Sequence, residues 1–278
     1  RSTGRLREEF HTPAVGDIRK VITSLSSIEE PIKKMMSYRF STTSDLDGHA
    51  LGNLILTAML DITGSLKESI ASLSKLLDVR HTVLPISEDP SLTLMGKDKE
   101  GNIIEGEEQI TTANRQFEKI YYKKEPKVLP EVLTAIKEAD LIIFSMGSLY
   151  TSVLPNVICK EVQAALEETK APLMYTCNVV TQPGETDGFT VSDHIKLLNR
   201  YLHKKKIDAV IASNTKIDKK IAEKYSTAEQ KEPVKIDYQE LEKVGVELIE
   251  DDLIIVEDNI LRHNSLKLSS LIFSYLMR

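Results

Sequence analysis

The sequence has no tryptophan, and aromatic residues make up only 5% of its 278 residues. Proteins that bind single-stranded nucleic acid stack bases on aromatic side chains, so this composition argues against a nucleic-acid partner. The formal net charge of −6 points the same way, because a phosphate backbone selects basic surfaces. A local basic pocket for a small phosphorylated molecule stays open.

Cysteine is also scarce. Cys159 and Cys177 form neither a zinc-binding pattern nor a disulfide framework, and we expect both to be buried as small apolar residues. The sequence contains no Walker loop and no Ser-His-Asp order. No apolar run approaches the roughly 18 residues of a membrane span, and no signal peptide opens the sequence as given. We therefore expect a cytoplasmic protein with no membrane span.

Hydrophobic residues make up 41% of the chain, which is enough for the core of one large or two modest domains. The first part, up to Leu77, shows the period of helices. From Arg80 the period changes, and we interpret residues 79–122 as an antiparallel β insertion or subdomain. Short strands are predicted there at 82–86, 92–95, 103–110 and 117–122.

From Pro130 onward, short apolar strands alternate with amphipathic helices. Repeated βα units of this kind predict an α/β fold, with a doubly wound, mostly parallel sheet and helices on both faces. Such sheets bind ligands at the carboxyl ends of their strands, so the loops at those ends are the place to look for a site.

The stretch Ala139–Asn156 carries the main functional signal. Its apolar start, residues 141–146, is typical of a buried parallel strand. A loop of small and hydroxyl side chains follows, and Pro155 suits the first turn of a helix. Unpaired N–H groups and the positive end of the helix dipole suit a phosphate there, although many such turns bind nothing. The candidate ligand-binding residues are Gly147, Ser148, Tyr150, Ser152 and Asn156.

A second polar loop follows the predicted strand 173–178, and His194 follows it inside a predicted helix. Polar side chains on a loop at a strand end can bind a ligand, because a rigid sheet holds their donors and acceptors in place. A long exposed turn with capping residues is the alternative. His194 is a weak candidate base, the alternative being a surface or hydrogen-bonded histidine. The candidate ligand-binding residues here are Asn178, Thr181, Gln182, Glu185, Thr186 and Asp187.

Two further segments carry charged or polar residues near predicted helix starts. Asp45 and Asp47 offer the oxygen ligands that Mg²⁺ prefers, and Asn53 could bind a ligand near the start of its helix. The alternative is an Asp cap followed by a buried helix. Arg262 lies just before the last helix, where an anion would be favoured, and an exposed surface arginine is the alternative.

Several of these segments resemble one family over nearly the whole chain. They are S-T-G-R-L-R, P-A-V-G-D-I-R-K-V-I, G-H-A-L-G-N-L-I-L, M-G-S-L-Y-T-S-V-L-P-N, C-N-V-V-T-Q-P-G-E-T-D-G-F and L-R-H-N. The sequence is similar to the gluconeogenesis factor (YvcK-like) family, related to 2-phospho-L-lactate transferase (CofD-like). Family members begin with a strand and a glycine-rich loop. The resemblance therefore implies one CofD/YvcK-like domain over residues 1–278, with that strand and loop apparently missing from the chain as given.

The resemblance implies a Rossmann-like fold that binds a nucleotide sugar, chiefly UDP-N-acetylglucosamine. It implies a regulatory role in cell shape and wall-precursor metabolism on gluconeogenic carbon sources, with no reaction of its own. The family's binding residues match Tyr225 and Arg262, and its phosphorylated threonine is matched by Ser265. A Ser/Thr kinase and a second copy of the chain are the other partners considered.

Two rival functions stay open at this point. One is a CofD-like transferase that moves a phosphorylated lactyl-type group, with Mg²⁺ held by Asp45 and Asp47. The other is a scaffold that binds no ligand.

Overall fold

A computed structural model describes the whole chain except residues 1, 11, 14, 218–222, 224–225, 228–229 and 258–259. The chain divides into two compact units, which are described separately. The first comprises Arg1–Leu92 and Pro126–Val132, and the second Thr93–Glu125 and Leu133–Arg278. In the part of the chain described, no helix combines the length and the apolar character needed to cross a membrane.

The first unit is built from helices. They are α1 Ser2–Phe10, α2 Val15–Leu25, α3 Glu30–Ser37, α4 Leu51–Thr63 and α5 Leu66–Leu76. Gly64 ends α4 in a left-handed conformation, and the Ser65 hydroxyl caps α5 by accepting from the Glu68 N–H. One apolar core joins α1 to α5, with Leu6, Ile22, Met36, Leu56 and Leu73 at most 1% exposed.

The second unit contains the remaining elements. Its strands are β1 Leu94–Asp98, β2 Ile103–Glu105, β3 Phe117–Tyr122, β4 Ile142–Phe144, β5 Leu173–Thr176, β6 Ala209–Ser213, β7 Glu247–Asp251, β8 Ile254–Glu257 and β9 Ile260–His263. Its helices are α6 Glu107–Thr112, α7 Pro130–Lys137 (which starts in the first unit), α8 Leu154–Val157, α9 Lys160–Glu168, α10 Val191–Tyr201, α11 Tyr238–Val244 and α12 Ser265–Leu276.

The described residues of this unit form three sheets. β4, β5, β6 and β7 lie side by side in that order, and every pair is parallel. β2, β1 and β3 form an antiparallel sheet, and β8 pairs with β9 in a hairpin. The mixed α/β class, with a parallel sheet and a small antiparallel sheet, is confirmed.

The core of the parallel sheet follows from its apolar strands. Met174, Ala209 and Ile211 are fully buried, and residues of α12, among them Leu271 and Ile272, pack against this cluster. The central strands β5 and β6 read as nearly continuous apolar runs because both of their faces are covered.

Two predicted strands are wrong. Residues 82–86 form no strand, and the strand predicted over 103–110 ends at Glu105. Gly106 adopts φ +103°, which breaks the strand, and α6 begins at once. Glu107 and Glu108 in the first turn of α6 suit a helix start, because acidic side chains interact favourably with the positive end of the helix dipole.

Candidate functional site

Two of the predicted ligand loops meet at one edge of the parallel sheet. β4 and β5 are parallel neighbours, so the segments that follow them leave the sheet on the same side. The Gly147 N–H donates to Asn178 Oδ1 at 3.0 Å, and Asn178 Nδ2 donates to the Gly147 carbonyl at 2.8 Å. This reciprocal pair ties the ends of the two strands together, at the edge where parallel sheets bind ligands.

The loop predicted after β4 forms a π-helical turn over Leu149–Val153, and α8 follows it directly with Pro155 in its first turn, as predicted. Ser148 caps it, because its Oγ accepts from the Thr151 N–H at 3.1 Å and from the Thr151 hydroxyl at 2.7 Å. The N–H groups of Ser152 and Val153 both donate to the Ser148 carbonyl. Three of the amides that could have faced a phosphate, those of Thr151, Ser152 and Val153, therefore donate within the protein.

Glu185 lies against this turn and is only 2% exposed. Ser148 Oγ is 2.8 Å and 2.6 Å from its two carboxylate oxygens, and Gln182 Nε2 donates to Oε1 at 3.1 Å. The backbone N–H of Tyr150 also donates to the carboxylate. Burial raises the pKa of Glu185, and the hydrogen bonds from Ser148 and Tyr150 oppose that rise. A buried carboxylate thus lies against the turn for which the sequence predicted a phosphate.

Other polar residues of the second loop shape its backbone. Thr186 Oγ1 accepts from the Gln182 N–H at 2.8 Å, and Asp187 Oδ2 accepts from the Gly184 N–H at 2.8 Å. Gly184 has φ +78°, and a Cβ there would lie 2.3 Å from Asn114 Cα. The loop is therefore held by its own hydrogen bonds and by close packing against the segment that follows α6.

A cavity of about 260 Å³ opens beside the same loop. Its lining carries hydroxyl, carboxylate and amide groups, which can donate to and accept from the hydroxyls of a sugar or a ribose. The lining residues are Thr181, Asp187, Gly188, Ser226, Gln230 and Glu232.

Backbone pairing fixes two sides of this cavity to each other. The Thr181 N–H donates to the Glu232 carbonyl at 2.7 Å, and the Glu232 N–H donates to Thr181 Oγ1 at 2.9 Å. Val180 and Pro233 form an antiparallel bridge next to this pair. Sequence reasoning missed Ser226, Gln230 and Glu232, although the polar stretch S-T-A-E-Q-K-E directly after Tyr225 was a signal that could have found them. Tyr225 itself lies outside the described residues.

Arg262 lies on β9, and its side chain is 57% exposed with Nε 3.5 Å from Glu257 Oε2. The next residue, His263, turns towards the sheet, with Nε2 3.1 Å from the Cys177 carbonyl. Because side chains alternate along a strand, Arg262 points to the opposite face of the hairpin. Burial lowers the pKa of His263. Ser265 is the exposed first residue of α12, which Asn264 caps by accepting from the Lys267 N–H.

The other predicted positions have structural contacts of their own. Asn156 Nδ2 donates to the Ser152 carbonyl at 2.6 Å on the surface. The hydroxyl of Tyr150, which is 1% exposed, lies 3.4 Å from the Phe117 carbonyl. His194 is fully buried, with Nδ1 2.8 Å from the Thr190 carbonyl, so the hydrogen-bonded alternative describes it. Both cysteines are buried, as predicted.

The candidate metal ligands and Asn53 belong to the first unit. Asp45 and Asp47 are exposed in one turn, where Asp47 Oδ1 accepts from the Thr42 N–H at 3.0 Å. The Arg5 guanidinium donates to the backbone carbonyls of both aspartates. Asn53 is buried on α4. Among the described residues, no three or more His, Cys, Asp or Glu side chains are grouped so that they could hold a metal ion.

Comparison with known proteins gives a consistent result. The family model described as 2-phospho-L-lactate transferase CofD matches residues 1–254. The gluconeogenesis factor of Bacillus subtilis is 38% identical over 276 residues, which cover 99% of this chain and 86% of that protein. The gluconeogenesis factor of Halalkalibacterium halodurans is 39% identical, with 98% of this chain and 84% of that protein covered.

Solved structures agree with these sequence matches. A crystal structure of a Bacillus halodurans protein superposes with a TM-score of 0.93 at 39% identity, and the match covers 98% of this chain and 87% of that one. A second structure with the same statistics is described as a member of the UPF0052 family. With this fold, and with identity above 35% over almost its full length, the chain belongs to the CofD family and, within it, groups with the gluconeogenesis factors.

Proposed function

We propose that this protein is a regulatory protein that binds a nucleotide sugar of the UDP-N-acetylglucosamine type, in support of cell shape and wall-precursor metabolism on gluconeogenic carbon sources. The observation that carries the proposal is the polar cavity of about 260 Å³ at the carboxyl edge of the parallel sheet. Its position agrees with the general rule for ligands of open α/β sheets.

The chemistry of the cavity supports the sugar or ribose part of such a ligand. Asp187 and Glu232 can accept hydrogen bonds from vicinal hydroxyls, and Gln230 and Ser226 can both donate and accept. Its volume is below the roughly 300–1,000 Å³ that small-molecule sites occupy, so the cavity suits one moiety of the ligand. Tyr225, the residue before Ser226, is the family's binding tyrosine by resemblance.

The diphosphate needs a cationic partner, and Arg262 is the residue that the resemblance assigns to it. The exposed guanidinium has only a loose ion pair with Glu257, at 3.5 Å, so leaving that partner costs little. A planar guanidinium can then bind two phosphate oxygens at once. Phosphorylation of Ser265, at the start of α12, would place a competing phosphate three residues away.

Isothermal titration calorimetry with UDP-N-acetylglucosamine tests the proposal. Gln230→Ala and Arg262→Ala should each weaken binding by about tenfold, the loss of roughly one hydrogen bond or one charge contact. Glu242→Ala, on the exposed surface of α11, is the matched control and should bind as the parent protein does. A parent protein that releases no heat with this ligand would refute the proposal, and an unchanged Arg262→Ala affinity would remove Arg262 from the site.

The match to the CofD family model supports a second candidate, a Mg²⁺-dependent transferase of a phosphorylated lactyl-type group. In this proposal Asp45 and Asp47 would hold the ion together with substrate phosphates, because Mg²⁺ is often bound by one or two carboxylates. Arg5, which donates to both backbone carbonyls, places positive charge at the same turn and disfavours the ion. Metal-dependent turnover that is lost in Asp47→Asn would favour the transferase over the regulatory protein.

A further inference from the structure

Glu185 is a buried charged residue at the carboxyl edge of the sheet. It is 2% exposed, and no Lys, Arg or His within the described ranges forms an ion pair with it. Hydrogen bonds alone therefore stabilise its charge. A buried carboxylate is retained in this way only when several donors converge on it.

The directions of these hydrogen bonds follow from the donors. The Thr151 N–H and the Thr151 hydroxyl both donate to Ser148 Oγ, at 3.1 Å and 2.7 Å. The proton of Ser148 is then left to donate to Glu185, whose oxygens lie at 2.6 Å and 2.8 Å. With Gln182 Nε2 and the Tyr150 N–H, three donors point at one carboxylate, which matches the acceptor-only ionised form.

Several amides around the turn after β4 therefore already have an acceptor within the chain. The Gly147 N–H donates to Asn178, the Tyr150 N–H to Glu185 and the Thr151 N–H to Ser148. A ligand phosphate that bound the Tyr150 amide would have to displace the carboxylate from it.

We propose that Glu185 is a positioning residue. Its carboxylate occupies the place beside the Ser148–Ser152 turn that a ligand phosphate would otherwise occupy. Glu185 thereby locks this turn to the loop that carries Thr181, Asp187 and Gly188, three residues of the cavity lining. The consequence for recognition rests on the proposed function. The diphosphate of a nucleotide sugar binds away from this turn, and the cavity keeps its shape only while the carboxylate is in place.

Glutamate is the residue that these contacts require. Aspartate is one methylene shorter and would pull away from Ser148. Glutamine has nearly the same shape, but its NH₂ group would face a second donor, either the Ser148 hydroxyl or the Tyr150 N–H. A donor facing a donor loses the hydrogen bond and leaves a buried polar group without a partner.

Chemical rescue tests whether the Glu185 carboxylate holds the turn, and the test needs no nucleotide sugar. Glu185→Ala removes the carboxylate, and sodium formate can return one to the space that is left. Thermal unfolding is measured in formate and in sodium chloride at equal concentration. We expect formate to raise the melting temperature of Glu185→Ala above its value in chloride, and to have no such effect on the parent protein or on Glu242→Ala, the exposed control. Equal melting temperatures in the two salts for a folded Glu185→Ala would overturn the proposal.

Glu185→Gln covers the case in which the alanine variant does not fold. Hydrogen exchange of the Tyr150 amide is measured in the parent protein and in Glu185→Gln. We expect exchange about tenfold faster in the variant, because the NH₂ group of glutamine removes one of the hydrogen bonds that hold the turn closed. Unchanged protection of Tyr150 would show that the carboxylate does not hold the turn, and would overturn the proposal.

A titration with UDP-N-acetylglucosamine then tests the effect on the cavity. We expect Glu185→Gln to bind about tenfold more weakly than the parent protein, and formate to restore the affinity of Glu185→Ala. Equal affinity in the parent protein and Glu185→Gln would overturn the positioning role. If the parent protein binds no nucleotide sugar, the proposed function fails, and the formate and exchange measurements still decide whether Glu185 holds the turn.

Discussion

Gly184 and Gly188 lie on the same loop, and both adopt a positive φ, but alanine should have different effects at the two positions. Gly188 has φ +70° and no atom within 4 Å of the place of a Cβ. Gly184 has φ +78°, and a Cβ there would lie 2.3 Å from Cα and 2.4 Å from the carbonyl carbon of Asn114. Those atoms are backbone, so no side-chain rotation can remove the clash.

The expected destabilisation follows from these distances. A left-handed conformation costs a non-glycine residue roughly 1–2 kcal/mol, and Gly188→Ala should lose about this amount. Gly184→Ala has the same conformational cost and an additional packing cost of about 1–3 kcal/mol, because the loop must move away from Asn114. The free energy of unfolding should therefore fall by about 2–5 kcal/mol in Gly184→Ala.

Urea unfolding followed by circular dichroism compares the two variants with the parent protein. Gly184→Ala should also weaken UDP-N-acetylglucosamine binding, since Thr181 and Asp187 on the displaced loop line the cavity. Gly188→Ala needs no such displacement and should bind more tightly than Gly184→Ala. Equal losses of stability in the two variants would refute the reasoning, because only one of them meets the backbone of another segment.

Two further predictions concern single polar side chains. Asn178→Ala removes both partners of the half-buried Gly147 backbone and should cost about 1–3 kcal/mol in urea unfolding, and an unchanged midpoint would contradict this. Hydrogen bonds from Asn102 and Arg115 lower the pKa of Asp98 from 3.8 to about 2. Because this pKa is lowered in the folded state, Asp98 stabilises the fold above pH 3.8 and loses this contribution as the pH falls through 2. In acid unfolding, the parent protein should therefore lose stability relative to Asp98→Asn over this pH interval. Parallel acid-unfolding curves would contradict it.

The reciprocal pair between Asn178 and Gly147 shows what the sequence predicted and what only the structure revealed. The sequence placed Asn178 at the end of a strand and Gly147 after another, and both were candidate ligand contacts. In the structure the two residues form hydrogen bonds with each other, although they are 31 positions apart in the chain. A polar side chain at a strand end is a candidate for a ligand or for a neighbouring loop, and the local sequence does not distinguish the two.

The sequence by itself determined the alternation of strands and helices from β4 to β7 and several helix starts. Ser65 caps α5, Asn264 caps α12 and Thr190 forms a capping box with Asp193, because each cap joins residues three positions apart. The wrong strand prediction over residues 103–110 was also local, since β2 ends at Glu105 and α6 begins directly after Gly106.

Only the tertiary structure decided which acceptor the turn after β4 would have. The Ser148–Glu185 contact spans 37 positions, and the Thr181–Glu232 pair beside the cavity spans 51. Contacts at such separations depend on how parallel strands align at one sheet edge, and they leave no periodic pattern in the sequence. For this reason a carboxylate of the chain itself lies against a loop whose composition suits a phosphate. The cavity lies beside the next polar loop, the one after β5.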